Sequence, residues 1–128
     1  MPHTPTIVEC DGVRHLGRHL LIELGSADPT ALADPFTTEQ VLRTAATATG
    51  ATILSGHFHH FGEGSGVTGV LILAESHISI HSWPELAYAA VDVFVCGDCD
   101  PHKAIPTLQT GFAARQVQVF DCIRGVVE

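Results

Sequence analysis

Basic side chains are scarce in this 128-residue chain: lysine and arginine together number 6 against 14 acidic residues, for a formal net charge of -8 at pH 7. A nucleic-acid partner needs a basic stripe to neutralise phosphates, so that class of function is excluded. An acidic field draws a small cation instead. Long apolar runs are also missing. The longest, around Val70–Ala74, falls far short of the roughly 20 residues that cross a bilayer, and no membrane partner is expected. The opening MPHTPTIVEC has neither the basic segment nor the apolar core of a secretory leader, which makes the cytoplasm the expected location. The 4 cysteines then read as free thiols rather than as a disulfide framework. Linkers, low-complexity tracts and strong internal repeats are absent as well.

What is present is a globular composition, 45% hydrophobic and 16% charged, in a length that suits one compact domain spanning 1–128. Such a low charge content leaves part of the surface for a partner to cover. Residues 1 to 12, with Pro2 and Pro5, read as a loose lead-in. RHLLIELG, from Arg18 to Gly25, reads as a first strand. Pro29 and Pro35 break the chain beyond it, and Thr37 with Gln40 forms a capping box for a helix that Gly50 ends. ATILSGHFHHF and VTGVLILA read as strands joined by the glycine-rich turn Gly62–Gly66. From Ser76 the side chains alternate, with Ser76, Ile78 and Ile80 on one face and His77, Ser79 and His81 on the other. Pro84 ends that strand. Ala89–Cys96 forms the next, Asp100 caps a second helix that Pro106 kinks, and Gln116–Phe120 closes the chain. The order predicts an α+β two-layer sandwich, an antiparallel sheet with helices on one face. Its other face is left bare.

The stretch AESHISIHSWPE, Ala74–Glu85, holds more polar chemistry than a core strand needs. In a strained turn, the Ser76 hydroxyl can attack the Glu75 carbonyl and convert the amide to an ester. β-Elimination then breaks the chain, and the dehydroalanine left behind hydrolyses to a pyruvoyl group and ammonia. Such a ketone forms a Schiff base with an amine and serves as an electron sink. By spacing alone, most Glu-Ser pairs are surface or turn residues. Two rival constellations carry less. His57, His59 and His60 could join Cys96 and Cys99 around zinc, yet no hydrolase motif accompanies them. Cys96 and Cys99 make a C-x-x-C, but Asp98 and Asp100 disfavour the thiolate that redox exchange uses.

Six segments together are far more specific. They are LGRHLLIE (Leu16–Glu23), GATI (Gly50–Ile53), FHHF (Phe58–Phe61), ESHISIHSWPE (Glu75–Glu85), YAAVDVFVCG (Tyr88–Gly97) and DPHKA (Asp100–Ala104). On them the chain resembles the prokaryotic S-adenosylmethionine decarboxylase proenzymes, from about Leu16 to Phe120. The resemblance implies self-cleavage between Glu75 and Ser76 into chains 1–75 and 76–128. It implies that Ser76 becomes the covalent pyruvoyl cofactor, that His81 moves protons during processing, and that Cys96 reprotonates the substrate carbon. Thr68 stands where the family usually has a serine, keeping the hydroxyl and adding a methyl group. Phe61 and Trp83 match an aromatic pair that holds adenine and sulfonium, and Glu85 a carboxylate near the ribose hydroxyls. No metal ligand is implied. The family reading adds a homodimer of processed protomers and the aminopropyl donor for spermidine synthesis as product. The same pyruvoyl chemistry also accepts arginine or ornithine, and an unprocessed homologue could serve as a non-catalytic binding subunit.

Overall fold

The computed structural model describes residues 5–128. Seven strands, β1 (Val8–Cys10), β2 (Val13–Gly25), β3 (Ile53–His60), β4 (Val67–Leu73), β5 (Ser76–Trp83), β6 (Tyr88–Cys96) and β7 (Gln116–Val126), form one antiparallel sheet in the order β1-β2-β6-β5-β4-β3. Strand β7 runs along β2 on the side opposite β6, since Gly17 and Leu24 pair with both. The helices are α1 (Pro29–Leu32), α2 (Pro35–Ala48) and α3 (Ala104–Gly111). The α+β sandwich expected from the sequence is the observed fold. Among the described residues, no helix is long and apolar enough to cross a membrane.

Period-two alternation sorts the strands into two faces. Leu20, Ile22 and Leu24 of β2, Val91, Val93 and Val95 of β6, Ile78 and Ile80 of β5, and Leu71 and Leu73 of β4 are all buried against Leu42, Ala45, Ala46, Leu108 and Phe112. Burying a side chain of this size is worth about 1.5–3 kcal/mol, so this layer dominates the stability. The opposite face carries His19, Leu21 and Glu23 of β2, then His77, Ser79 and His81 of β5, and Asp92 and Phe94 of β6. Leu21, Ile72 and Phe120 on it are 44%, 46% and 48% exposed.

Local details depart from the sequence reading where a competing cap wins. Helix α2 starts at Pro35, before the expected capping box, because the Asp34 carboxylate accepts the Phe36 N–H at 3.0 Å and Pro35 needs no partner for an N–H it lacks. Thr37 instead donates its hydroxyl to Asp34 at 2.7 Å. Pro29 likewise opens α1 under an Asp28 cap rather than breaking the chain. Asp100 caps a 3-10 turn, Pro101–Lys103, that runs on into α3. Pro106 sits in the first turn of α3, where the amide it lacks has no helical partner to lose, so no kink is needed. The lead-in contains the short β1, the first strand begins at Val13, and the last extends to Val126.

Ser82 shows how the two layers are tied. Buried at 7% exposure, its hydroxyl accepts the Val67 N–H at 2.9 Å and donates to the Leu32 carbonyl at 2.8 Å, joining β5, β4 and α1. Ser82→Ala strips both partners and is expected to cost about 2 kcal/mol, measurable as a lower urea midpoint at unchanged slope. A midpoint within error of wild type would show that water replaces the hydroxyl.

Candidate active site

Strands β4 and β5 are joined by the two-residue turn Ala74–Glu75, closed by the Leu73–Ser76 pair. Glu75 has φ of 57°, the left-handed region that costs a side-chain-bearing residue about 1–2 kcal/mol. The strained residue therefore supplies the carbonyl of the Glu75–Ser76 bond. That carbonyl accepts a hydrogen bond from Cys96 Sγ at 2.9 Å, and the Cys96 N–H donates to Ser76 Oγ at 3.1 Å. Two groups of one residue thus hold both reacting partners, the hydroxyl and the carbonyl. Burial pushes the Cys96 thiol up, the Ser76 contact opposes this, and the Glu75 charge adds to it. The thiol is a protonated donor at neutral pH.

Room for this arrangement comes from Gly17. A Cβ there would lie 2.6 Å from the Val95 carbonyl oxygen, 2.8 Å from the Phe94 ring and 3.2 Å from Cys96 Sγ. A side chain at that position would force the Val95 carbonyl or the Phe94 ring to shift and would crowd the thiol.

The opposite end of the same strand holds a second group. Thr68 Oγ1 lies 3.2 Å from His81 Nδ1, and the His81 ring leans over Trp83 at 6.3 Å. Trp83 stacks on Tyr88 at 5.6 Å. Tyr88 donates its hydroxyl to Glu23. Burial, with the Glu23 carboxylate beside it, pushes the Tyr88 phenol up to about 12. Phe61 and Trp83 do not stack together: Phe61 meets His59 at 4.6 Å. Both rings are nevertheless open to solvent, at 62% and 40%. Glu85 is exposed in the 3-10 turn Pro84–Leu86, beside Asp34 and Glu63 in a shallow depression.

Ser76 and His81 are five positions apart along one extended strand, which is roughly 16 Å. Glu75, Ser76 and Cys96 are brought together, as are Thr68, His81 and Trp83, but one protomer keeps the two groups apart. The rival constellations are not assembled either. His57 and His59 lie on β3, three strands or roughly 14 Å away from β6, and in register with Asp92 and Ala90 rather than with Cys96, which is farther still. The Cys99 thiol is pushed up by burial, by Asp98 and by Cys96, against the requirement of a reactive dithiol.

Between the two groups lies a cluster that sequence reading did not single out. His19 Nε2 and His77 Nε2 approach the same oxygen of Asp92, at 2.6 and 2.9 Å, and Ser79 donates to its other oxygen. Alternation places His77, Ser79 and Asp92 on the bare face, but only the β5–β6 and β2–β6 registers make them neighbours.

The S-adenosylmethionine decarboxylase family model matches residues 18–125. An S-adenosylmethionine decarboxylase proenzyme of Methanococcus maripaludis is 44% identical over 117 residues, covering 91% of this chain and 95% of its own. One of Thermotoga petrophila is 43% identical over 114 residues, covering 88% and 87%. The crystal structure of the adenosylmethionine decarboxylase of Aquifex aeolicus superposes with a TM-score of 0.80 at 34% identity, over 89% of this chain and 94% of that one. With the family model spanning most of the chain and the same fold in a solved relative, this protein belongs to the S-adenosylmethionine decarboxylase family.

Proposed function

We propose that the chain cleaves itself between Glu75 and Ser76 and, carrying a pyruvoyl group derived from Ser76, decarboxylates S-adenosylmethionine to the aminopropyl donor used in spermidine synthesis. The observation that carries this reading is the contact between Cys96 Sγ and the Glu75 carbonyl at a left-handed, strained residue. As the Ser76 hydroxyl adds to that carbonyl, charge grows on its oxygen, and a donor already aimed there stabilises it. Relief of the turn strain favours the same step. The residues present suit the group that results, since Ser76 begins the 76–128 fragment with the Cys96 amide and thiol at hand. When formed, the pyruvoyl group supplies the electron sink for the carbon that loses carbon dioxide. Cys96, kept protonated by burial, then gives its proton to that carbon.

The chain works as a homodimer with shared sites. Ser76 and Cys96 stand at one end of β5 and β6, Thr68 and His81 at the other end of β4 and β5, and the face between them carries exposed Leu21, Ile72 and Phe120. A second copy laid on this face about a two-fold axis brings His81 and Thr68 of one protomer to Ser76 of its partner. His81 then moves the protons of ester formation and elimination, and Thr68 orients its ring through Nδ1. Trp83 and Phe61, both solvent-open in one protomer, offer π faces to the adenine and the sulfonium. Glu85 offers its carboxylate to the ribose hydroxyls.

Intact-mass spectrometry of the denatured protein is expected to give two chains split after Glu75, with Ser76→Ala remaining whole. Released carbon dioxide, measured with S-adenosylmethionine, arginine and ornithine in turn, is expected from the first alone; release from either amino acid instead overturns the substrate. Shared sites have their own test. His81→Ala and Ser76→Ala chains each stay uncleaved when expressed alone, whereas co-expression yields cleaved His81→Ala chain, because its Ser76 meets an intact partner histidine. Absence of cleavage in the mixture, with the heterodimer present, sinks the shared site.

The Cys96 proton sets a pH limit. Its thiol titrates above the ordinary value of 9.0, so the acid form persists through neutral pH and is lost only as pH rises past the raised value. The kcat profile is expected to keep its alkaline limb above pH 9.0. A limb near neutrality that disappears in Cys96→Ser would contradict this.

A further inference from the structure

Self-cleavage has a structural cost at residue 76. In the intact chain Ser76 is held by its peptide bond to Glu75, by its backbone pairing with Leu73, and by the Cys96 N–H on its hydroxyl. Ester formation makes the Glu75 C–Oγ bond and breaks the Glu75–Ser76 C–N bond, the hydroxyl proton passing to the nitrogen. Elimination then removes the Ser76 Cα proton to a base and breaks the Cβ–Oγ bond, and the oxygen leaves with its electron pair as part of the Glu75 carboxylate. One water adds, and the nitrogen departs as ammonia. Residue 76 therefore loses its neighbour, its N–H and its Oγ together. A strand end stripped of such ties frays.

The first side chain able to hold the new terminus is that of His77. Its Nε2 lies 2.9 Å from Asp92 Oδ2, and its ring meets those of His19 and Phe94 edge-on at 5.7 and 5.8 Å. Asp92 is itself fixed. His19 Nε2 lies 2.6 Å from the same oxygen, and Ser79 donates to the other. Arg124, which has only donors, points its guanidinium at His19 Nδ1 from 3.0 Å. Nδ1 is thus the acceptor and the His19 proton sits on Nε2, directed at Asp92. Burial works against the Asp92 charge, but the hydrogen bonds from Ser79, His19 and His77 outweigh it and hold the carboxyl below its usual range. The three ligand-type atoms lie within 4.8 Å of one another. With His19 Nε2 already protonated, hydrogen bonds rather than a cation satisfy them.

We propose that His77, clamped by Asp92 and His19, is a positioning residue that keeps the terminus at residue 76 beside Cys96 once the chain is cut. Its clamp also spans the cut, because His19 belongs to fragment 1–75 and the other members to fragment 76–128. The inference rests on the self-cleavage reading, and it predicts a division that ordinary strand support does not. His77→Ala leaves the covalently closed hairpin able to cleave, while turnover in the cleaved enzyme suffers.

The test compares wild type, His77→Ala and His77→Gln by intact mass, by steady-state decarboxylation and by hydrogen exchange of residues 76–80. His77→Ala is expected to cleave fully yet to lose about a hundredfold in kcat, the scale of a misplacement near 1 Å, with KM held within about threefold. His77→Gln, which keeps an N–H donor and much of the bulk, is expected to restore part of kcat. Exchange is faster in cleaved His77→Ala but not in the uncut Ser76→Ala/His77→Ala protein. Wild-type kcat in fully cleaved His77→Ala overturns the proposal, as does equal loosening of the uncut double variant. A wild-type chain that stays whole overturns self-cleavage first, and this inference with it.

Discussion

The antiparallel register that sets His77 opposite Phe94 and Ile80 opposite Val91 governs the geometry of the whole site. Shifted by one residue, β5 would turn Ile78 and Ile80 to the bare face and drive two histidines into the core. Burial of those isoleucines therefore locks the register, and the register brings Cys96 to the hairpin turn that holds Glu75. The contacts of Cys96 with Glu75 and Ser76 are thus by-products of core packing.

That packing also explains why the strain is tolerable. A glutamate in the left-handed region is disfavoured by about 1–2 kcal/mol, a small sum against the buried layer beneath it. The turn is tight because β4 and β5 pair without a break from Thr68–His81 to Leu73–Ser76. Strain placed in so short a connection cannot relax by slippage, and it falls at Glu75, beside the bond proposed to be cut. The thiol that points at the same carbonyl is held protonated by its burial, so it acts there as a donor rather than as a competing nucleophile.

A sheet covered by helices on one side leaves its second side to a partner or to water. Here that side mixes apolar side chains with a hydrogen-bonded cluster of His19, His77, Ser79 and Asp92, and it separates the two halves of the reaction machinery by the length of β5. The proposed homodimer would resolve that separation with a two-fold axis that overlays opposite ends. On the proposed self-cleavage, the cluster near the middle of the face would keep the severed strand in register.

Much of this was legible in the residues. Alternation in ESHISIHSW assigned the buried isoleucines and the outward histidines correctly, because a strand's period of two is a local property. The resemblance carried by six segments pointed to the Glu75–Ser76 pair and the Cys96 thiol. Helix starts were read less well, since Asp34-Pro35 and Asp28-Pro29 compete with later capping candidates and the outcome depends on which N–H groups tertiary packing leaves exposed. What the chain alone determined is the fold class, which follows from local pattern, while the family resemblance singled out Ser76, His81 and Cys96 as candidate site residues. Tertiary structure alone decided that Cys96 touches Glu75 while His81 stands at the far end of the strand, and that His19 and Asp92 meet His77, because contacts across strands depend on register, which no local pattern specifies.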